Sequence, residues 1–335
     1  MNNTSQNAAQ VLVLVGAGHA NIALIRRFAM EPLAGTRLVV VNPYSVTPYS
    51  GMLPGFLSGQ YREDELFIDI ARLCKQAGAR FIRGSLTKVD TGLRQLTIRH
   101  QVRFNQTELQ IGFDACVLNT GAVPGHDFPT KHPHYYPVKP IRELLTALPQ
   151  IDQQMSPDGA SMVVVGGGAG GIELAFAFRT RFGNAARVTL ISKRRFEADA
   201  ALSAAAKWIR RVLVDRGITC IEGQAVVEAT ENSVVLSDGR SVAADVICAA
   251  TPVHPPDWIL DSALPTDQGF LAVNNFLQVQ NQSSLFAAGD IVSLASPRGR
   301  SGVMAVRAGQ YLADAIWKRL QGTTPYPFKP QKRWL

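Results

Sequence analysis

Two stretches of this sequence repeat one pattern: VLVLVGAGHANIALIRRF, from Val11 to Phe28, and MVVVGGGAGGIELAFAF, from Met162 to Phe178. Each passes from apolar, largely β-branched residues through closely spaced glycines into residues with helical periodicity. The first predicts a buried parallel strand over 11–15, a turn at Gly16, Ala17 and Gly18, a helix over 21–30 and a second strand over 37–41. The second predicts a strand over 162–165, a turn over 166–171, a helix over 172–181 and a strand over 187–191. Gly16 to Asn42 and Gly166 to Ser192 span the same number of positions, which marks a duplicated unit.

Such glycines have a mechanical job. One allows a tight turn, one lets the backbone approach a pyrophosphate, and one lets helix pack on strand. The helix N-terminus then presents N–H groups and a partial positive charge to the phosphates. Two copies predict an α/β protein with two Rossmann-like dinucleotide-binding domains. Both copies depart from the full fingerprint. Asn21 stands where the first copy needs its third glycine. The acidic residue expected at the end of each second strand is Asn42 in one copy, followed by Pro43, and Ser192 in the other. Asn42 can still donate to and accept from a ribose. Ser192 precedes Lys193, Arg194 and Arg195, a set that accommodates a 2′-phosphate and leans toward NADPH.

With 335 residues the chain has room for two modest domains, and 46% apolar against 18% charged residues is a globular balance. Its apolar runs are short and end in glycine, so no membrane span is expected. The polar start, residues 1–10, lacks the pattern of a signal peptide and suggests a loose tail on a cytoplasmic protein. The net charge of +8 is spread out, except at SKRRF and KPQKRWL. Cofactor phosphates or a membrane surface can use it, and nucleic acid is not an expected partner. Cys74, Cys116, Cys220 and Cys248 form no CxxC or CxxxxC pair and are expected to be buried thiols of a reducing compartment. The histidines show no metal-ligand spacing, so no metal is expected.

In their order, VGAGHA, LNTGAVP, VVVGGGAGGIELA, AATP and LFAAGD resemble the two-dinucleotide-domain flavoproteins. That superfamily includes the pyridine nucleotide–disulfide oxidoreductases and the type II NADH dehydrogenases. The resemblance covers nearly all of 11–322. Within it, TPYSGMLPGFLSGQY and PYPFKPQKRWL are similar to the flavoprotein domain fused to selenophosphate synthetase. The resemblance implies that Gly16 and Gly18, with His19 and Ala20, hold the FAD pyrophosphate, with Asn42 and Pro43 at the adenosine ribose. It implies that Thr120 and Gly121 close over the FAD, and that Gly289 and Asp290 bind its ribityl side. Gly166, Gly168 and Gly171, with Ser192, Lys193 and Arg194, would hold NAD(P)H, and Glu173 would stand near the nicotinamide. An ordinary first-turn carboxylate is the alternative for Glu173. The NAD(P)H domain, 140–252, would be inserted into a split FAD domain, 10–139 and 253–335, with the proline-rich HYYPVKPI and TPVHPPDW as crossings.

Flavin and nicotinamide carry hydride transfer themselves, which fits the lack of a Ser/His/Asp or paired-carboxylate pattern. The missing CxxxxC argues against a disulfide reductase. In its place stand Pro48, Tyr49, Ser50, Gly51, Met52, Leu53 and Pro54, an expected acceptor side. Ala305, Ala308 and Gln310 resemble the quinone-side helix of type II NADH dehydrogenases, although Val306 and Arg307 depart from it. Small residues that let this helix pack closely are the alternative. The short stretch after Asp290 leaves little room for a large interface domain or a long membrane anchor. Trp317, Lys318, Arg319 and the basic aromatic tail are candidates for weak contact with the inner membrane face. The expected activity is FAD-dependent electron transfer from NAD(P)H to a quinone or another small acceptor. The competing expectation is a redox-sensing or accessory protein with little turnover, a selenium-related role included.

Overall fold

A computed structural model describes all residues except 1–8, 103–104, 126–127, 157, 200–201, 295–301 and 331–335. Most of the expected N-terminal tail and the end of the KPQKRWL stretch therefore lie outside the described residues. The chain forms two compact units. One comprises Met1–Thr47, Ile68–Ala122 and His254–Leu335, and the other Pro48–Phe67 and Val123–Val253.

The first unit begins with β1 (Gln10–Val15), α1 (His19–Met30), β2 (Thr36–Asn42), β3 (Arg80–Asp90), β4 (Gln95–Val102), β5 (Asn105–Gly112) and β6 (Ala115–Leu118). The second unit supplies β7 (Tyr135–Pro137), β8 (Ser161–Val165), α2 (Ala169–Phe182), β9 (Arg187–Ser192), α3 (Ala206–Asp215), β10 (Ile218–Glu222) and β11 (Val246–Ala249). The chain returns to the first unit with β12 (Leu285–Ala287) and α4 (Gly302–Leu320).

The sheet of the first unit runs β12-β6-β1-β2-β3-β4-β5. Its first five strands are parallel, and β3, β4 and β5 form an antiparallel meander. The sheet of the second unit runs β7-β11-β8-β9-β10, all parallel. In each, the strand before the glycine turn is an inner one with parallel neighbours on both sides. Leu12, Val13, Leu14 and Val15 are fully covered, as are Met162, Val163 and Val164. Burial on both faces explains why these strands are continuous apolar runs rather than alternating ones. Each such side chain contributes roughly 1.5–3 kcal/mol by leaving water.

The compact units change over at 122/123 and 253/254, the second within one residue of the expected 252/253. Tyr135–Pro137 pairs with β11 and so extends the second sheet. Leu53 and Leu57 pack into the core of the second unit with Phe178 and Leu174, which brings Pro48–Phe67 with them. Local composition does not show that a short apolar loop segment joins a core far along the chain.

Helix α4 packs against α1 at close range. A Cβ at Gly309 would lie 2.6 Å from Ala20 Cα and 2.9 Å from its carbonyl oxygen. Trp317, expected at the surface, is instead buried. Its Nε1 donates to the Glu31 carbonyl at 3.2 Å, and its ring meets Phe28 edge-on at 5.6 Å. Trp317 thus anchors α4 on the end of α1 and cannot serve as a membrane contact. Among the described residues no helix is long and apolar enough to cross a membrane.

Gly309→Val should therefore cost about 2–3 kcal/mol, the upper range for overpacking, offset by a few tenths from helix propensity. A thermal midpoint lowered by several degrees is the expected result. Val303→Ala, at an exposed position of the same helix, is the control and should leave the midpoint in place.

Candidate functional site

The two glycine turns are built by the same backbone bonds. In the first unit Gly16 N–H donates to the Val41 carbonyl at 2.8 Å and Asn119 N–H to that of Val15 at 2.7 Å; Ile22 N–H closes α1 onto Gly18 at 3.1 Å. In the second, Gly166 N–H donates to Ile191 at 2.8 Å, Ala250 N–H to Val165 at 2.8 Å, and Ile172 N–H to Gly168 at 3.1 Å. The N-caps agree as well, Gly18 at φ −71°, ψ 173° and Gly168 at φ −73°, ψ 173°.

Gly16 and Gly166 have φ of +83° and +123°, a region that L side chains rarely adopt. A Cβ at either would also strike the carbonyl of the residue just past β6 or β11, the third strand of its cradle, Asn119 or Ala250. At Gly168 a Cβ would meet nothing within 4 Å, so the turn leaves open space beside the start of α2. Neither helix has an acidic residue in its first turn. Both turns therefore fit a pyrophosphate, with a positive helix end and no opposing carboxylate; the turn is exposed at Gly168 and half-buried at Gly18.

The side chains of the first cradle are largely engaged with one another. Asn42 Oδ1 accepts from Ala17 N–H at 2.9 Å and its Nδ2 donates to the Tyr44 carbonyl at 2.7 Å. Its first job is to hold the turn, leaving one Oδ1 lone pair for a ribose. Pro43 is exposed, and its carbonyl accepts from Arg83 Nε at 3.2 Å. Asn21 is fully buried, and its Nδ2 faces three carbonyls, Val15 at 3.1 Å, Gly16 at 2.7 Å and Val117 at 3.2 Å. Thr120 is exposed, and Gly121 turns at φ +76° with open space beside it. Gly289 and Asp290 form a single 3-10 turn after β12.

Sequence reasoning missed Asn119, one residue before the expected Thr120. Its Oδ1 accepts from the amides of Ala20 at 3.0 Å and Asn21 at 3.3 Å, and its Nδ2 donates to the Ala288 carbonyl at 2.7 Å. A polar amide at the end of the wholly apolar run ACVL was the available signal.

In the second cradle, Ser192 is buried and its Oγ donates to the Arg194 carbonyl at 2.6 Å. Ser192 also fills the space a side chain at Gly167 would need. Lys193, Arg194 and Arg195 project into solvent. The loop they occupy is fastened from below: Glu222 accepts from Phe196 N–H at 2.8 Å and from Arg210 Nε at 2.5 Å. Arg210 also binds Glu197 through both terminal nitrogens. Glu173 lies one turn further into α2 than expected, because the helix starts at Ala169. Its side chain is exposed by area, yet the protein packed around it raises its pKa by desolvation; access to water limits that shift.

Tyr49, Met52 and Pro54 lie half-buried in the Pro48–Phe67 segment of the second unit. On α4 of the first unit, Ala305 and Ala308 are buried, whereas Arg307 and Gln310 face outward. The four cysteines are free thiols. Burial pushes Cys74 and Cys220 up to about 11, and Cys248 up to about 12, so none is a reactive thiolate near neutral pH. Cys116 is pushed up further still by complete burial on β6.

Two sheets, each with a glycine turn after an inner strand that has parallel neighbours on both sides, define a protein of two dinucleotide-binding units. The chain matches the pyridine nucleotide-disulphide oxidoreductase family model over residues 10–310 and belongs to that family. With membership come FAD as cofactor, NAD(P)H as substrate and the general role of an NAD(P)H-dependent oxidoreductase. It is 23% identical to oxidoreductase ptaL of Pestalotiopsis fici, over 95% of this chain and 86% of that one. It is 24% identical to demethylphylloquinone reductase NdbB of Synechocystis sp., over 96% and 82%. Its fold matches an NAD-dependent persulfide reductase from A. fulgidus with a TM-score of 0.79 at 20% identity, covering 96% of this chain but 62% of that one. The chain spans little more than half of several other curated relatives, 60% and 56% in two cases. None of these relatives is a selenophosphate synthetase.

Arg210→Met tests the fastening of the cationic loop. Hydrogen bonds from Arg210 hold Glu197 down at about 2; burial opposes the same effect at Glu222, but the net shift is still downward. Carboxylates depressed in the folded state stabilise it above their ordinary pKa and lose that contribution as pH falls through the folded value. The variant should melt a few degrees below the parent at pH 7, and the gap should close as pH falls from about 4.5 toward 2.

Proposed function

We propose that the first cradle holds FAD and the second receives NAD(P)H, and that the protein passes electrons from NAD(P)H to a quinone or another small acceptor. The observation carrying this reading is the repetition of one set of backbone hydrogen bonds and cap angles in two units with unlike side chains. When bound, flavin and nicotinamide supply the hydride chemistry, so the chain is required only to bind and orient them.

In this reading Gly16, Gly18, His19 and Ala20 hold the FAD pyrophosphate. Thr120 and Gly121 cover the flavin nucleotide, and Gly289 and Asp290 receive its ribityl chain. Gly166, Gly168 and Gly171 hold the pyrophosphate of NAD(P)H. Glu173, with its raised pKa, is the polar side chain we assign to the nicotinamide end. Lys193 and Arg194 are exposed beside the buried Ser192, where a carboxylate would otherwise select for free ribose hydroxyls. Two cations and no acid at that place favour a 2′-phosphate, and hence NADPH.

A small acceptor is favoured over a disulfide because the thiols are unpaired and protonated. The name of the demethylphylloquinone reductase relative favours a quinone within that class. Ala305 and Gln310 on α4, and Tyr49, Met52 and Pro54 in Pro48–Phe67, are each proposed as acceptor-side residues within their own unit. The domain limits 10–139 with 253–335 for FAD and 140–252 for NAD(P)H belong to the same proposal, adjusted by the pairing of Tyr135–Pro137.

Anaerobic titration with NADPH and with NADH tests the reading directly. Rapid bleaching of the oxidised flavin band, reversed by a quinone, is the expected result. A flavin bleached by neither nucleotide would sink it and leave a redox-sensing or accessory role. Replacing Lys193 and Arg194 together by alanine should lower the NADPH-to-NADH preference about tenfold or more, the worth of one charge-assisted hydrogen bond. An unchanged ratio would remove the 2′-phosphate assignment.

A further inference from the structure

The two cradles match in backbone and differ at two corresponding positions. Just past the third strand stands Asn119 in the first unit and Ala250 in the second. At the third glycine position stands Asn21 in the first and Gly171 in the second.

The consequences for hydrogen bonding are large. Asn119 ties the first turn of α1 to the end of β12, through Ala20 and Asn21 on one side and Ala288 on the other. Asn21 ties α1 back to β1 and β6. The Asn119 amide also occupies the space that a side chain at Gly18 or Gly289 would need. Two glycine turns far apart in sequence are thereby set at a fixed separation by one buried side chain. In the second cradle Ala250 offers only a methyl group, 3.5 Å from where a Cβ of Gly171 would lie. Among the described residues no side chain caps α2.

We propose that Asn119 and Asn21 are positioning residues that make the first cradle a permanent holder for a tightly bound dinucleotide. By the same logic, Ala250 and Gly171 leave the second cradle able to exchange its nucleotide. This assignment rests on FAD in the first cradle and NAD(P)H in the second. The physical reason is preorganisation. A site ordered by its own hydrogen bonds loses less free energy on binding, and the gain appears mainly as slower release. A ligand that spans the Gly16 turn and the Gly289 turn draws on both ends of the Asn119 bridge at once.

The test uses the full chain with Asn119→Ala and Asn21→Gly. Flavin is stripped, and FAD is titrated back while flavin fluorescence is followed. NADPH and NADH affinities are measured on the same preparations, together with the thermal midpoint of the flavin-free protein. Each variant should raise the FAD dissociation constant about tenfold or more, as expected when one or two buried hydrogen bonds are lost. Nicotinamide nucleotide affinity should stay within about twofold, a split that general destabilisation cannot produce. Should Asn119→Ala fail to fold, Asn21→Gly carries the test alone, because Gly171 shows the same backbone accommodating glycine.

An FAD constant within about twofold of the parent overturns the proposal. So does a parallel loss of both nucleotides, which marks a merely structural role. A loss confined to NAD(P)H reverses the assignment of the cradles and overturns it too. A parent chain that takes up no FAD overturns the proposed function itself. A parent that binds FAD, with indifferent variants, overturns only the roles given to Asn119 and Asn21.

Discussion

In each unit a carbonyl oxygen just past a buried strand lies against a glycine Cα: Asn119 against Gly16, and Ala250 against Gly166. That contact sets how closely the turn approaches the third strand, and no residue with a side chain can stand there. Everything functional follows from it. The helix N-cap stands two residues on, at the same angles in both units, so the helix N-terminus meets the mouth of the sheet where the parallel strands end. Parallel sheets collect their ligands at that edge because every strand delivers its following loop there.

The departures from the glycine fingerprint are best read as exchanges of one packing solution for another. In the second unit Gly171 lets the helix backbone close directly onto the Gly166 carbonyl. In the first, Asn21 keeps a side chain at that point, and the two N–H groups of its Nδ2 are shared among the carbonyls of Val15, Gly16 and Val117. A buried amide is costly unless it is partnered; here the Nδ2 of Asn21 finds its acceptors on β1, the turn and β6, while its Oδ1 has no partner among the described residues. Asn42 and Ser192 likewise replace an acidic residue, and each fastens its own turn before it can meet any ligand.

Electrostatics divides the second unit into a neutralised layer and an exposed one. Arg210 is balanced by Glu197 and Glu222, and that cluster anchors the loop through Phe196. Lys193, Arg194 and Arg195 ride on the same loop in solvent. A fastened base under exposed cations suits recognition of a phosphate at the surface, where long side chains reach out from a positioned main chain.

The sequence by itself determined the two strand–turn–helix frames, because a run of β-branched residues closed by glycines has few other ways to bury itself. The strands at 11–15 and 162–165 and the turn glycines lie where the pattern puts them, and the absence of a cysteine pair was plain from spacing alone. Only the tertiary structure decided what depends on partners distant in the chain. Asn119 bridges residues separated from it by 98 to 169 positions, and no local pattern encodes such a bond. Trp317 looked like a surface aromatic beside two cations until α1 covered it. The segment Pro48–Phe67 reads as a loop of the first unit, yet Leu53 and Leu57 take it into the core of the second. Periodicity and turn chemistry act over a few residues, whereas burial and hydrogen-bond pairing are settled by whichever surfaces the folded chain brings together.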